Sequence, residues 1–167
     1  WSSDVCSSDL SDLPIPQVSI VATDPIADER TGETARFVIN IAGNDDAGAN
    51  PDGLSIALVS GGSAVIGEDY VIQDADGVRF GSLEDFITAN LSIIPSGVDQ
   101  IEFLVIPNRD FVAGNRTVTF TIQSSSQNGL PAEQGDYTVG TPFVAGATIL
   151  DVDAPIAIPD EIGRAHV

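Results

Sequence analysis

Few residues in this chain can do chemistry, and their placement is uneven. The single Cys, His and Trp (Cys6, His166 and Trp1) all fall in the short ends "WSSDVCSSDL" and "EIGRAHV". Those ends are one stretch of DNA read in opposite directions. Asp4–Leu10 written as GAC GTG TGC TCT TCC GAT CTC has the reverse complement GAG ATC GGA AGA GCA CAC GTC, which translates as Glu161–Val167. They look like translated sequencing adapter, so residues 1–10 and 161–167 are set aside as scars. Between them, Ser11–Asp160 has no Cys, no His and no Lys. That removes thiol nucleophiles, imidazole acid–base catalysis, disulfides and the usual zinc sites from this segment. The serines of "QSSSQ" have no His or Lys to activate them.

Carboxylates are the chemistry that remains. A pair of them can hydrolyse a glycosidic bond, and a converging set can hold a divalent cation. The glycosidase reading lacks aromatic subsites, because Tyr70 and Tyr137 are the only Tyr and the segment has no Trp. The same poverty of aromatic platforms argues against carbohydrate binding. We therefore expect no enzyme activity here. Many of the acids are loop residues that water alone can solvate, and Asp45, Asp46 and Asp52 in "GNDDAGANPDG" are read that way. "QDADGV" (Gln73–Val78) has the Asp-x-Asp-Gly spacing of half a calcium loop without its remaining ligands, so it reads as a turn.

Setting aside the scars removes Asp4, Asp9, Glu161 and Arg164, which takes the formal charge from -19 to -17. Such a surface repels phosphates, so nucleic acid is excluded as a partner. No apolar run is long enough to span a bilayer, so no direct membrane insertion is expected.

The elements that would position these groups are strands. Apolar and polar residues alternate in "QVSIVAT", "ARFVINI", "LSIALVS", "NLSII", "QIEFLVI", "TVTFTIQ" and "VAGATIL", and Gly, Pro, Asn and Asp clusters separate them. Seven short strands of this kind predict an all-β fold, an immunoglobulin-like antiparallel β-sandwich. Phe37, Phe103 and Phe120 lie on the apolar faces and are assigned to the core. Phe80, Phe86, Phe111 and Phe143 are expected to pack the sandwich ends. In "GSLEDFITAN", Ser82 as N-cap with Asp85 three residues on predicts one helical turn. The Pro-bearing flanks "SDLPIP" and "DAPIAIP" read as stiffened linkers, so the domain is placed at 17–153 between linkers 11–16 and 154–160.

Four pieces in this order carry a resemblance: Glu29 in "ADERTGETARFVI", "GEDY" (Gly67–Tyr70), the hairpin "LSIIPSGVDQIEFLVI", and "ATILDVD" (Ala147–Asp153). Together they resemble the Calx-beta domain, a module found in sodium/calcium exchangers, in integrin and matrix-linked proteins, and in tandem in large bacterial surface proteins. The resemblance implies calcium bound among loops at one end of the sandwich. It places Glu29, Asp69, Asp151 and Asp153 in the ligand set, with Asp110 as the acid left in a loop that departs from the pattern. In that loop, "IPNRDFVAGNR", Asn108 and Arg109 stand where the family has an Asp pair, while Ala113 and Arg116 stand where it has Glu. Val152 interrupts the last acidic triplet. The expectation is a degenerate site: one calcium of reduced affinity, or none, with Arg109 and Arg116 in the metal's place.

The resemblance also implies a function, a non-catalytic repeat of a secreted or cell-surface protein in adhesion or in intercellular or matrix contact. Its partners would be neighbouring domains of the same chain and a protein or matrix component that the sequence does not identify. The alternatives are a structural spacer and a β-sandwich appendage of a secreted hydrolase.

Overall fold

In the computed structural model the described residues are 15–44, 53–110, 113–124 and 137–151. The adapter-like ends, the linker 154–160, Asp45, Asp46, Asp52, Phe111 and Asp153 lie outside them. Two sheets face each other across one core. The larger holds β1 (Gln17–Asp24), β3 (Ala35–Ala42), β5 (Tyr70–Asp74), β6 (Arg79–Phe80), β7 (Gln100–Pro107) and β9 (Thr138–Val139), in the order β6-β5-β7-β3-β1-β9. The smaller holds β2 (Ile26–Asp28), β4 (Leu58–Gly61), β8 (Arg116–Ile122) and β10 (Val144–Leu150), in the order β2-β10-β8-β4. The all-β sandwich is thus as the alternation predicts.

The longer strands bury the residues their period assigns inward. Val18 and Ile20 of β1, and Phe37, Ile39 and Ile41 of β3, meet Val118, Phe120 and Ile122 of β8, together with Ala147 and Ile149 of β10, in one buried cluster. Phe37 stacks on Phe103 with ring centroids 5.4 Å apart, and Phe120 stands edge-on to both at 4.9 and 5.1 Å. Aromatic pairs in these geometries add about 0.5–1.5 kcal/mol each beyond burial alone.

Three local expectations are corrected. The helix exceeds a single turn: α1 spans Leu83–Asn90, and its Ser82 cap accepts from the Asp85 N–H at 3.1 Å. It drives Phe86 fully into the core against Phe80 and Phe103, so Phe86 is a core residue and not end packing. "NLSII" is not a strand, because the helix runs into it and only a single bridge, Leu54 to Ile94, forms there. Of the strands that the alternation did not mark, β2, β6 and β9 have only two or three residues each, and the longest is β5, whose inward set Tyr70, Ile72 and Asp74 hides its period behind a carboxylate. Asp74 accepts the Asp76 and Val78 N–H groups at 3.0 and 2.9 Å, which closes the β5–β6 turn and gives "QDADGV" its structural role.

The sheets are not wholly antiparallel. β1 pairs parallel with β9, and β2 pairs parallel with β10. The first run of chain changes sheet at Pro25 and the last run changes sheet around Pro142, so one long run at each end yields two strands. Gln17 therefore sits at one end of the sandwich and Leu150 at the other, the entry and exit ends below. At the entry end the Tyr137 hydroxyl donates to the Gln123 carbonyl and accepts the Ala57 N–H at 3.0 Å, which ties two chain segments together.

Candidate functional site

The exit end gathers most of the buried carboxylates among the described residues. It is formed by the ends of β2, β7 and β10 and the starts of β5 and β8, since Tyr70 pairs with Pro107 and Arg116 pairs with Ile149. Glu29, Asp69, Asp110 and Asp151 all stand there, brought together from distant parts of the chain by this topology. Three of them, Glu29, Asp69 and Asp151, are buried.

Asp69 comes off a tight turn. The Gly67 N–H donates to the Tyr70 carbonyl at 2.7 Å with Gly67 at φ 88°. A Cβ on Gly67 would stand 2.8 Å from the Gly81 carbonyl oxygen, so glycine is required twice over. The turn aims the Asp69 Oδ2 back at the Val65 N–H, which it accepts at 2.6 Å. Asp69 Oδ1 accepts from Arg116 Nη1, and the same nitrogen donates to Asp110 Oδ2 at 2.9 Å. One guanidinium thus lies between two carboxylates. The Asp69 and Arg116 side chains are only 7% and 21% exposed, so water screens the pair weakly.

This placement tests the fit of a metal ion. Two carboxylates about 4 Å apart repel by roughly 4 kcal/mol at an effective dielectric near 20, so a converging pair needs a cation between them. Arg116 already supplies that charge for Asp69 and Asp110. Among the described residues no group of three or more acids is arranged to hold a metal ion. The Asp69–Asp110 pair, as it stands, does not fit calcium. Arg109 is exposed on the same loop, beside Asp110.

Asp151 is fastened by backbone. Its Oδ2 accepts the Gly114 N–H, and its own N–H donates to Asn115 Oδ1 at 3.0 Å. The Glu29 N–H donates to the Leu150 carbonyl at 3.1 Å, which puts Glu29 beside the end of β10. Around Asp69 and Arg116 opens a shallow cleft of about 460 Å³, lined by Ser63, Val65, Glu68, Asp69, Asp110 and Arg116.

Two features of this end escaped the sequence reading. The first is the Asp28–Arg30 pair, in which Arg30 Nη2 donates to Asp28 Oδ2 at 3.1 Å and the Arg30 N–H donates to Oδ1 at 2.8 Å. The "DER" spacing carried that signal, since a carboxylate readily accepts a backbone N–H two residues on. The Arg30 side-chain bond, then its backbone bond, hold the Asp28 carboxyl below its ordinary range. A depressed folded pKa means stabilisation that is fully present above the unfolded value of about 3.9 and lost as pH falls through the lower folded value. Asp28→Asn is therefore expected to lower the urea midpoint at pH 7, with the gap to the parent closing as both are titrated below pH 3.9. A gap that stays constant with pH would show that the ionised carboxylate is not the source.

The second is Tyr70, whose burial between the sheets pushes its hydroxyl up to about 12. That hydroxyl completes no hydrogen bond, although the Ser60 side chain is near enough to pull weakly the other way. It belongs to the core.

No known protein family and no curated protein matches the chain. No helix among the described residues is long and apolar enough to cross a membrane.

Proposed function

We propose that the chain is a non-catalytic β-sandwich module, strung between neighbouring domains of a longer protein, whose acidic end is closed by Arg116 in place of calcium. The observation that carries this reading is the single Nη1 shared by Asp69 and Asp110. It supplies the positive charge that the Calx-beta-like arrangement would otherwise take from a metal. The entry and exit of the chain at opposite ends of the sandwich also favour a strung module, because successive copies then extend without doubling back. A structural spacer is supported by the same geometry. A role in adhesion or matrix contact, in an extracellular or cell-surface setting, follows from the resemblance alone.

The test is a thermal melt of the chain in millimolar calcium, in magnesium and in chelator. A ligand at 100 times its dissociation constant, bound only to the folded state, adds about 2.7 kcal/mol. For a domain of this size that moves the midpoint by roughly 5–10 °C. We expect coincident midpoints in all three. An upward shift specific to calcium would show that the acids still form a metal site and would sink the arginine reading.

A further inference from the structure

We infer that this fold bears tension between its two chain ends, through a shear clamp made of its first and last strands. The N-terminal run, β1 then β2, lies parallel to the C-terminal run, β9 then β10, on both sides of the change of sheet. In the larger sheet the Thr138 N–H donates to the Pro16 carbonyl at 2.8 Å, the Gly140 N–H to Val18 at 2.7 Å, and the Ile20 N–H to Pro142 at 2.9 Å. In the smaller sheet the Thr148 N–H donates to Pro25 at 2.8 Å, and the Glu29 N–H donates to Leu150 at 3.1 Å. The two ends of the chain are thus zipped to each other along the length of the sandwich.

The direction of pull decides what this does. Tension from outside draws β1 toward the entry end and β10 toward the exit end. Parallel neighbours drawn in opposite senses along their own axes are loaded in shear, so their hydrogen bonds share the force and must fail together. Each run is also flanked on its other side. β1 is paired with β3 from Gln17↔Ala42 to Asp24↔Arg36, and β10 with β8 from Val144↔Thr121 to Ile149↔Arg116. Detaching either end therefore means sliding a strand past two neighbours. The Asp151 contacts to Gly114 and Asn115 fasten the last described residue to the loop that opens β8. Forced unfolding is governed by the unfolding rate and not by equilibrium stability, so this arrangement acts on resistance to pulling in its own right.

This inference rests on the reading of the chain as a strung module. The experiment is single-molecule force spectroscopy on the full chain carrying Cys6→Ser and Thr31→Cys, pulled in two geometries. One pulls between the two chain ends. The other pulls between residue 31, which is exposed just beyond β2, and the C-terminal end. The second geometry draws β2 and β10 apart at their shared end, so the Leu150–Asp28 register opens first and the bonds break one at a time. Both use the same polypeptide, so its equilibrium stability is common to them. We expect the end-to-end rupture force to be severalfold the greater. Equal forces, or a weaker end-to-end geometry, would overturn the clamp. That result would leave the calcium melt untouched, so the two readings fail separately.

Discussion

Replacing Arg116 by Gln is expected to destabilise the chain by about 3 kcal/mol, because it strands two poorly solvated carboxylates without their counter-charge. At this size the melting midpoint should fall by roughly 6–12 °C. The size sets it apart from an ordinary surface ion pair, whose loss costs at most about 1 kcal/mol. The exposed Arg36–Glu102 pair, with N···O 2.6 Å and both side chains near half exposure, is the internal control. Arg36→Gln should be nearly silent. The Arg116→Gln variant should also gain a response to calcium. With the guanidinium gone, Asp69 and Asp110 keep their need for a cation, and millimolar calcium should restore part of the lost stability. Melts of parent and variant, with and without calcium, check both claims together. A variant as stable as the parent would show that Arg116 neutralises nothing of consequence.

The second large effect lies in the core. Phe103→Ala is expected to cost about 4 kcal/mol, the middle of the usual range for a buried Phe. Its ring touches Phe37 across the strand pair, Phe120 from the opposite sheet and Phe86 from the helix, with centroids 5.0–5.4 Å away. No single neighbour can collapse into the space, since each is fixed by a different element. Leu104→Ala, one residue on and half-buried on the outer face, should cost about 1 kcal/mol or less. Urea denaturation of the two variants decides it. Equal losses would mean that the alternation in "QIEFLVI" does not mark which face is inside.

The contrast between neighbours shows how much of this fold was legible beforehand. β1, β3, β7, β8 and β10 were readable because each has an apolar inner face and a polar or turn-rich boundary. The chemistry of period two needs no partner to be recognised. β5 was not, because Asp74 occupies an inward position where it serves the turn to β6. "NLSII" misled for the converse reason. Its alternation is real, but the Ser82-capped helix continues to Asn90 and leaves too little chain for a ladder. Phe86 was assigned to the ends because helical burial depends on which sheet edge the helix covers, and that is a tertiary fact.

The site divides along the same line. That the acids Glu29, Asp69, Asp110 and Asp151 meet at one end follows from strand order, which the alternation of residues does not encode; only the resemblance implied acids gathered at one end. That Arg116 could stand in for a cation was also readable, as a base where the pattern expects an acid. Which carboxylates it serves was not. Asp69 and Asp110 lie 47 and 6 residues away from it, and only the pairing of β8 with β10, and of β5 with β7, brings one nitrogen within reach of both.

The sequence by itself determined the class of the fold, the inward faces of β1, β3, β7, β8 and β10, and the absence of Cys, His and Lys between the adapter-like ends. These depend on residue type and on neighbours a few positions away. Tertiary structure alone decided the sheet changes at Pro25 and Pro142, the parallel zipping of the first strand to the last, and the choice of partners for Arg116. Those depend on hydrogen bonds and charges between segments more than 100 residues apart in the strand case and 47 apart for Arg116 and Asp69, and no local period encodes which distant segment will be adjacent.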